Sequence, residues 1–316
     1  MQNQIKITAS ILLAVFVLLS CEKNSLTTNT SSKKQSAFTD FFKSIAPPMQ
    51  HFTITAGQTQ VVTGEKGTKI YFFYNSLKKK DGTILTSGDV KIVLQEMLTG
   101  PEMILANKTT TSNGKLLVSG GQIYIKAYQG NDELLINLAA SPEVDIPAKT
   151  PDNMSLFTGN LKENDFLKGD TVINWVADST PVRRGQDSFG IVFNFPLDSF
   201  RYINCDYFYN QSAPLTDIKV TIPSGFADTS VVLFIYFPSI NSVARANSFN
   251  SITRTFSLED SYKVPVGLDV KFLFVGKKGP LFYYEIKSAT ITNNYTTTLN
   301  PGISTESAIK EAIKSM

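Results

Sequence analysis

Histidine is almost absent from this chain: His51 is the only one among 316 residues. A Ser-His-Asp triad, a Cys-His pair or a two-histidine zinc site would have to be built on it. It stands beside Phe52 at the mouth of a predicted strand, where a structural role is expected. There is no P-loop, no GxGxxG ahead of a helix and no EF-hand loop, so neither a cofactor nor a metal is expected. Charged residues make up only 18% and the net charge is +3, a balance that gives no reason to expect nucleic acid as a partner. Cysteine is scarce as well, with only Cys21 and Cys205, and a body of this size can hold together by burial without disulfides. The apolar run Ile11 to Leu19 falls short of the roughly 20 residues a helix needs to cross a bilayer.

What is present begins with that run. Lys6, the apolar stretch and the small Ser20 ahead of Cys21 describe a secretory signal over residues 1–20. Leu18-Leu19-Ser20-Cys21 resembles the lipobox of bacterial lipoproteins, although Leu19 is a less usual residue at its position. The resemblance implies that Cys21 is acylated and anchors the mature chain in a membrane. Glu22 follows, not the Asp that in many bacteria retains a lipoprotein at the inner membrane, so the outer membrane is favoured. Whether the body faces the surface or the periplasm stays open. Residues 21–36 carry almost no apolar side chains and read as a flexible tether. With Cys21 lipidated, Cys205 lacks a disulfide partner and reads as a small buried hydrophobe.

Hydrophobic residues at 42%, with 22 Phe and 12 Tyr, suit a folded body rich in strands. Phe38, Phe41, Phe42 and Ile45 fall at helical spacing before Pro47-Pro48, predicting a helical turn or two that plugs the first domain. From Phe52 the period changes to two. Short strands punctuated by Gly and Asn-Gly turns then follow one another to Leu138, and Gly120-Gly121 marks a bulge or tight bend. Pro142, Pro147 and Pro151 suggest a linker, which puts an N-terminal sandwich at residues 37–148 and a second at 149–316. In the second block Val231 to Phe237 has no polar member, so both of its faces should be covered. Near the end, Ser304 is a candidate N-cap for a short helix with an apolar face of Ala308, Ile309, Ala312 and Ile313. The expected fold is all-β: two antiparallel β-sandwich domains behind a lipoprotein signal and flexible tether, with a short C-terminal helix.

The stretch Gly67 to Tyr128, with Asp81-Gly82, Glu96, Glu102 to Leu105, Asn113-Gly114 and Ser119 to Gly121, is similar to a pattern in Bacteroidota-type outer-membrane lipoproteins to which no activity is assigned. More distantly it looks like the sandwich of ankyrins and netrin receptors. Tyr202 to Tyr209 resembles a strand that recurs in the same lipoproteins. The resemblance implies a non-enzymatic module that contacts envelope proteins, and it supplies no site residues. It also implies O-glycosylation at Asp-Ser/Thr-apolar positions, which Thr171 fits and Ser179 fits loosely. A second class of function comes from aromatics. Trp175, Tyr207 and Tyr209, with Asp206 between rings, form a candidate platform for a polysaccharide. Arg201 or Arg183-Arg184 would be the partner of Asp206. A third class, glycoside hydrolysis, would need two of Glu96, Glu102, Asp198 and Asp206 to face one cleft.

Overall fold

The computed structural model describes residues 38–148, 152–160, 174–187, 190–210, 213–258 and 262–316. The signal, Cys21, the tether and Thr171 lie outside the described residues. Strands dominate, arranged as two sandwiches stacked on one another, and the all-β expectation holds.

In the first sandwich, one sheet runs Gln50–Thr55, Asp89–Met97, Lys115–Gln129, Tyr202–Phe208, Ser155–Asn160, Asn174–Ala177. The facing sheet runs Arg183–Asp187, Gly190–Pro196, Glu143–Pro147, Lys69–Phe72, Gln60–Thr63. Alternation decides which side chains meet: Val90, Ile92 and Leu94 point across to Ile70, Val144, Ile146, Phe193 and Phe195 in one core. This arrangement corrects the expected division at residues 148 and 149. Glu143–Pro147 pairs with Lys69–Phe72 on one side and Gly190–Pro196 on the other, so the presumed linker is a central strand. Its prolines fit because Pro142 precedes the strand and Pro147 ends it, where a missing N–H breaks little of the ladder. Tyr202–Phe208 likewise pairs with Lys115–Gln129, so the first sandwich extends through Phe208.

The second sandwich packs the sheet Ser242–Arg245, Val231–Phe237, Asp269–Lys278, Leu281–Thr290, Gly302–Ser304 against Ser248–Asn250, Thr255–Ser257, Ile218–Thr221, Tyr295–Thr298. One pairing, Ile218–Thr221 with Tyr295–Thr298, is parallel. All seven side chains of Val231–Phe237 are buried. Leu233, Ile235 and Phe237 enter the core of this sandwich, while Val232, Phe234 and Tyr236 face the first one.

A third core fills the seam. Helix α1, residues 38–45, buries Phe38, Phe41, Phe42 and Ile45 there. It is not a plug of the first sandwich alone, because Phe42 meets Phe234 at 5.9 Å and Phe41 meets Phe282 at 5.1 Å, both on the second. Helix α2, Gly100–Leu105, and helix α3, Glu306–Lys314, add Met103, Ile104, Ile309 and Ile313. The cap of α3 is Thr305, whose hydroxyl accepts from Ala308 N at 3.2 Å, one residue later than Ser304.

Candidate functional site

The residues singled out for a ligand platform gather at the seam, but most of them point inward. Trp175 is 0% exposed, and its indole Nε1 donates to the Thr109 carbonyl at 2.6 Å. Gln122 Nε2 donates to the same carbonyl at 2.9 Å. Trp175 is therefore a seam core residue tied to the backbone, and no sugar ring can stack on it.

Asp206 is also fully buried, which corrects its assignment to the platform. Its surroundings follow from the bulge between Asn204 and Asp206, opposite Ser119-Gly120-Gly121-Gln122. A Cβ on Gly120 would lie 2.8 Å from the Cys205 carbonyl oxygen and 3.0 Å from the Phe193 ring, so only glycine lets the two strands approach here. Asn204 Nδ2 donates to Asp206 Oδ2, Ser119 Oγ donates to Asn204 Oδ1 at 3.2 Å, and Gly121 N donates to Ser119 Oγ at 3.2 Å. Asp206 Oδ1 has no partner among the described residues. The arginines expected to serve it are engaged elsewhere: Arg201 with Asp178 at 3.1 Å and Asp198 at 2.8 Å, Arg183 with Glu143 at 2.9 Å. Burial pushes the Asp206 carboxyl well above the usual carboxylate range, against the opposing pull of hydrogen bonds from Ser119, Asn204 and the Gly120 backbone. Asp206 thus sits in a buried polar cluster that favours its protonated form relative to an exposed carboxyl.

Tyr207 and Tyr209 are the half-buried remainder. Tyr207 packs on both sandwich cores and its hydroxyl donates to Asp152 Oδ2 at 3.1 Å. Tyr209 lies against the second core, its N–H donating to the Leu116 carbonyl at 3.0 Å. Ser179 is exposed on the turn after Asn174–Ala177, where Asp178 Oδ1 accepts from Thr180 N at 2.8 Å.

The four carboxylates weighed for hydrolysis do not share a cleft as a pair. Glu96 is buried and holds the turn at 64–67: Oε2 accepts from Gln50 Nε2 and Lys66 N, both at 2.9 Å, and Oε1 from Thr68 N at 3.0 Å. Gly64 sits so close over it that a Cβ would lie 2.5 Å from Oε2. Glu102 accepts from Leu98 N at 2.8 Å and Thr99 N at 3.1 Å at the start of α2, and pairs with Lys66. Asp198 is exposed and receives Arg201 through both oxygens. Two clefts of about 370 Å³ flank the 64–67 turn. Lys69 and Asp187 line one and are joined at 2.7 Å. Glu102, Lys66, Lys310 and Lys314 line the other. His51 is exposed on its strand. No cluster of His, Cys, Asp and Glu among the described residues could hold a metal ion.

No protein-family model matches the chain, and no curated protein matches it. Among solved structures it is similar to a gamma-CGTase from alkalophilic Bacillus clarkii, at 8% identity and a TM-score of 0.20, over 77% of this chain and 41% of that one. A likeness this faint carries no argument about activity.

Sequence reasoning missed the residues that fasten the seam. Asn241, in the left-handed region at φ 50°, accepts from Gly100 N at 2.6 Å and donates to the carbonyls of Leu98 at 3.1 Å and Ser119 at 3.0 Å. Thr110 and Ser242 join hydroxyls at 2.8 Å beside it. The one local signal was an Asn directly after a Pro-Ser-Ile turn, which marks a positive φ but not the partner it reaches.

Proposed function

We propose that this chain is a lipid-anchored cell-envelope protein of the outer membrane, with Cys21 as the anchor and the stacked sandwiches as a non-enzymatic interaction or assembly module. The observation that carries the reading is how the fold spends its polar groups. Glu96, Glu102 and Asp198 hold turns, a helix start and an arginine, and Asp206 is sealed at the seam. Large apolar side chains stand out instead at loop tips: Tyr74, Leu138 and Ile252. A body built this way meets its partners with its surface. A polysaccharide partner would have to be held by Tyr207 and Tyr209 alone, since Trp175 and Asp206 are buried.

The test is metabolic labelling with palmitate, followed by membrane fractionation, for the parent and Cys21→Ser. Label and membrane association should both be lost in the variant. A labelled variant, or an unlabelled parent, would sink the anchor. For the module, photo-crosslinkers placed at Tyr74, Leu138 and Ile252 in cells should give discrete adducts from at least one position, and no adduct from any of them would argue against it.

A further inference from the structure

The far end of the first sandwich, away from the seam, carries an apolar tip. Phe73 and Tyr74 follow the strand Lys69–Phe72, and Leu135 and Leu138 flank the facing turn. Tyr74 is 58% and Leu138 65% exposed, and Phe73 and Leu135 are exposed as well. These four belong to one surface because the two turns are stitched together. Asn137 N donates to the Ser76 carbonyl at 2.9 Å, Asn137 Nδ2 donates to the Asn75 carbonyl at 2.8 Å, and Leu77 pairs with Ile136. Asn75 at φ 59° makes the sharp turn that leaves Tyr74 outside. The apolar groups are therefore displayed on a fixed frame. Beside them runs the hairpin of Lys78, Lys79, Lys80, Asp81 and Gly82, in which Lys79 N donates to the Thr83 carbonyl and Lys78 pairs with Leu135. None of the three lysines is in an ion pair among the described residues. Asp81 is exposed and accepts from Thr83 N at 2.9 Å, so the hairpin sets three lysines against one carboxylate, and Glu133, next along the facing turn, is paired with Lys126.

We propose that this tip docks on a lipid surface bearing anionic headgroups. Tyr74, Phe73, Leu135 and Leu138 enter the interfacial zone, where an aromatic with a polar end and short aliphatic groups are favoured. Lys78, Lys79 and Lys80 lie over the phosphates, and that charge complementarity is what selects a membrane over an uncharged partner. The proposal does not depend on acylation of Cys21. Residues 22–37 ahead of α1 could extend about 50 Å, so an anchored body also has the reach to turn this tip toward its own membrane.

The test uses residues 22–316, which contain every core residue described and no Cys21. Failure here would thus leave the anchor untouched, and failure of the palmitate test would leave this proposal untouched. The protein is sedimented with vesicles of phosphatidylcholine alone, or of phosphatidylcholine and phosphatidylglycerol, at low and high salt. Binding should appear with the anionic vesicles and fall as salt rises. The paired change Lys79→Ser, Lys80→Ser should weaken it by about 25-fold, at roughly fivefold per lysine. Tyr74→Ser with Leu138→Ser should weaken it by about tenfold or more. Both variants alter exposed side chains and should keep the parent's urea midpoint. The proposal is overturned if anionic vesicles bring down no protein, or if neither variant changes the amount brought down. It is also overturned if light scattering shows a dimer that Tyr74→Ser abolishes, since a second copy would then own the tip.

Discussion

Replacing Asp206 with asparagine should flatten the dependence of stability on pH. The carboxyl is buried at the seam with one oxygen unpartnered, and burial raises its folded-state value well above that of the unfolded chain. Below about pH 4 the group is protonated in both states and costs nothing extra. As pH rises past that point the unfolded chain releases the proton first, so the folded state binds more protons and loses relative stability. For one proton the slope is about 1.4 kcal/mol per pH unit until the folded value is reached. The nearest titratable neighbour, the Cys205 thiol, is itself pushed up by burial and stays neutral across that window. The Asp206→Asn side chain carries no ionisable proton. The variant's urea-unfolding free energy should therefore lack that slope, and its advantage over the parent should grow as pH rises above about 4. Trp175, the only tryptophan and fully buried, reports the transition by fluorescence. Parallel curves for parent and variant would mean that burial does not raise the Asp206 carboxyl, and the reasoning would be wrong.

Other expectations follow from the same contacts. Gly120→Ala forces a Cβ onto the Cys205 carbonyl and should lower stability by about 1–3 kcal/mol, read as a drop in urea midpoint. Phe42→Ala opens the seam where its ring meets Phe41 and Phe234 and should cost about 3–5 kcal/mol; a loss under about 1 kcal/mol would mean that α1 is not part of the core. Glu96→Ala strands the donors of Gln50, Lys66 and Thr68, so limited proteolysis should begin at the 64–67 turn, which resists in the parent.

The elements were legible where the signal is local. The period of α1, the all-apolar Val231–Phe237 and the short α3 could each be read from spacing alone, because backbone geometry fixes which side chains share a face. The partner of a strand is not local information. Val144 and Ile146 alternate with Asp145 as a half-buried strand should, yet three prolines within ten residues outweighed that pattern in the sequence reading. Asp145 escapes a penalty because Tyr71 Oη donates to it at 3.1 Å and Asn194 Nδ2 at 2.7 Å, neither of which is near in sequence. Trp175 and Asp206 illustrate the same limit. A ring beside Asn and a charge between rings look alike in sequence whether they face solvent or a second sandwich, and the second sandwich lies beyond residue 210.

That layering sets how the protein can be divided. A fragment of residues 37–148 keeps Lys69–Phe72 and Glu143–Pro147 but loses Gly190–Pro196 and Tyr202–Phe208, the strands that flank them or their facing sheet. Phe193, Phe195, Ile203 and Cys205 leave the first core with those strands, and Leu156 leaves with Ser155–Asn160. Each large side chain contributes about 1.5–3 kcal/mol by burial, so their loss matches the roughly 5–15 kcal/mol a whole domain has in reserve. The fragment should show no cooperative unfolding transition. A fragment of residues 37–210 completes the first sandwich, but it bares Phe157, Trp175, Tyr124 and Tyr202, which the second sandwich covers. It should unfold cooperatively, at a lower urea midpoint than the whole chain, and should bind a hydrophobic dye that the whole chain excludes. The whole chain should unfold in one transition, because the seam core is shared by both halves. A cooperative transition from residues 37–148 would show that the strands across the expected boundary are dispensable, and two separate transitions in the whole chain would show that the seam does not couple the sandwiches.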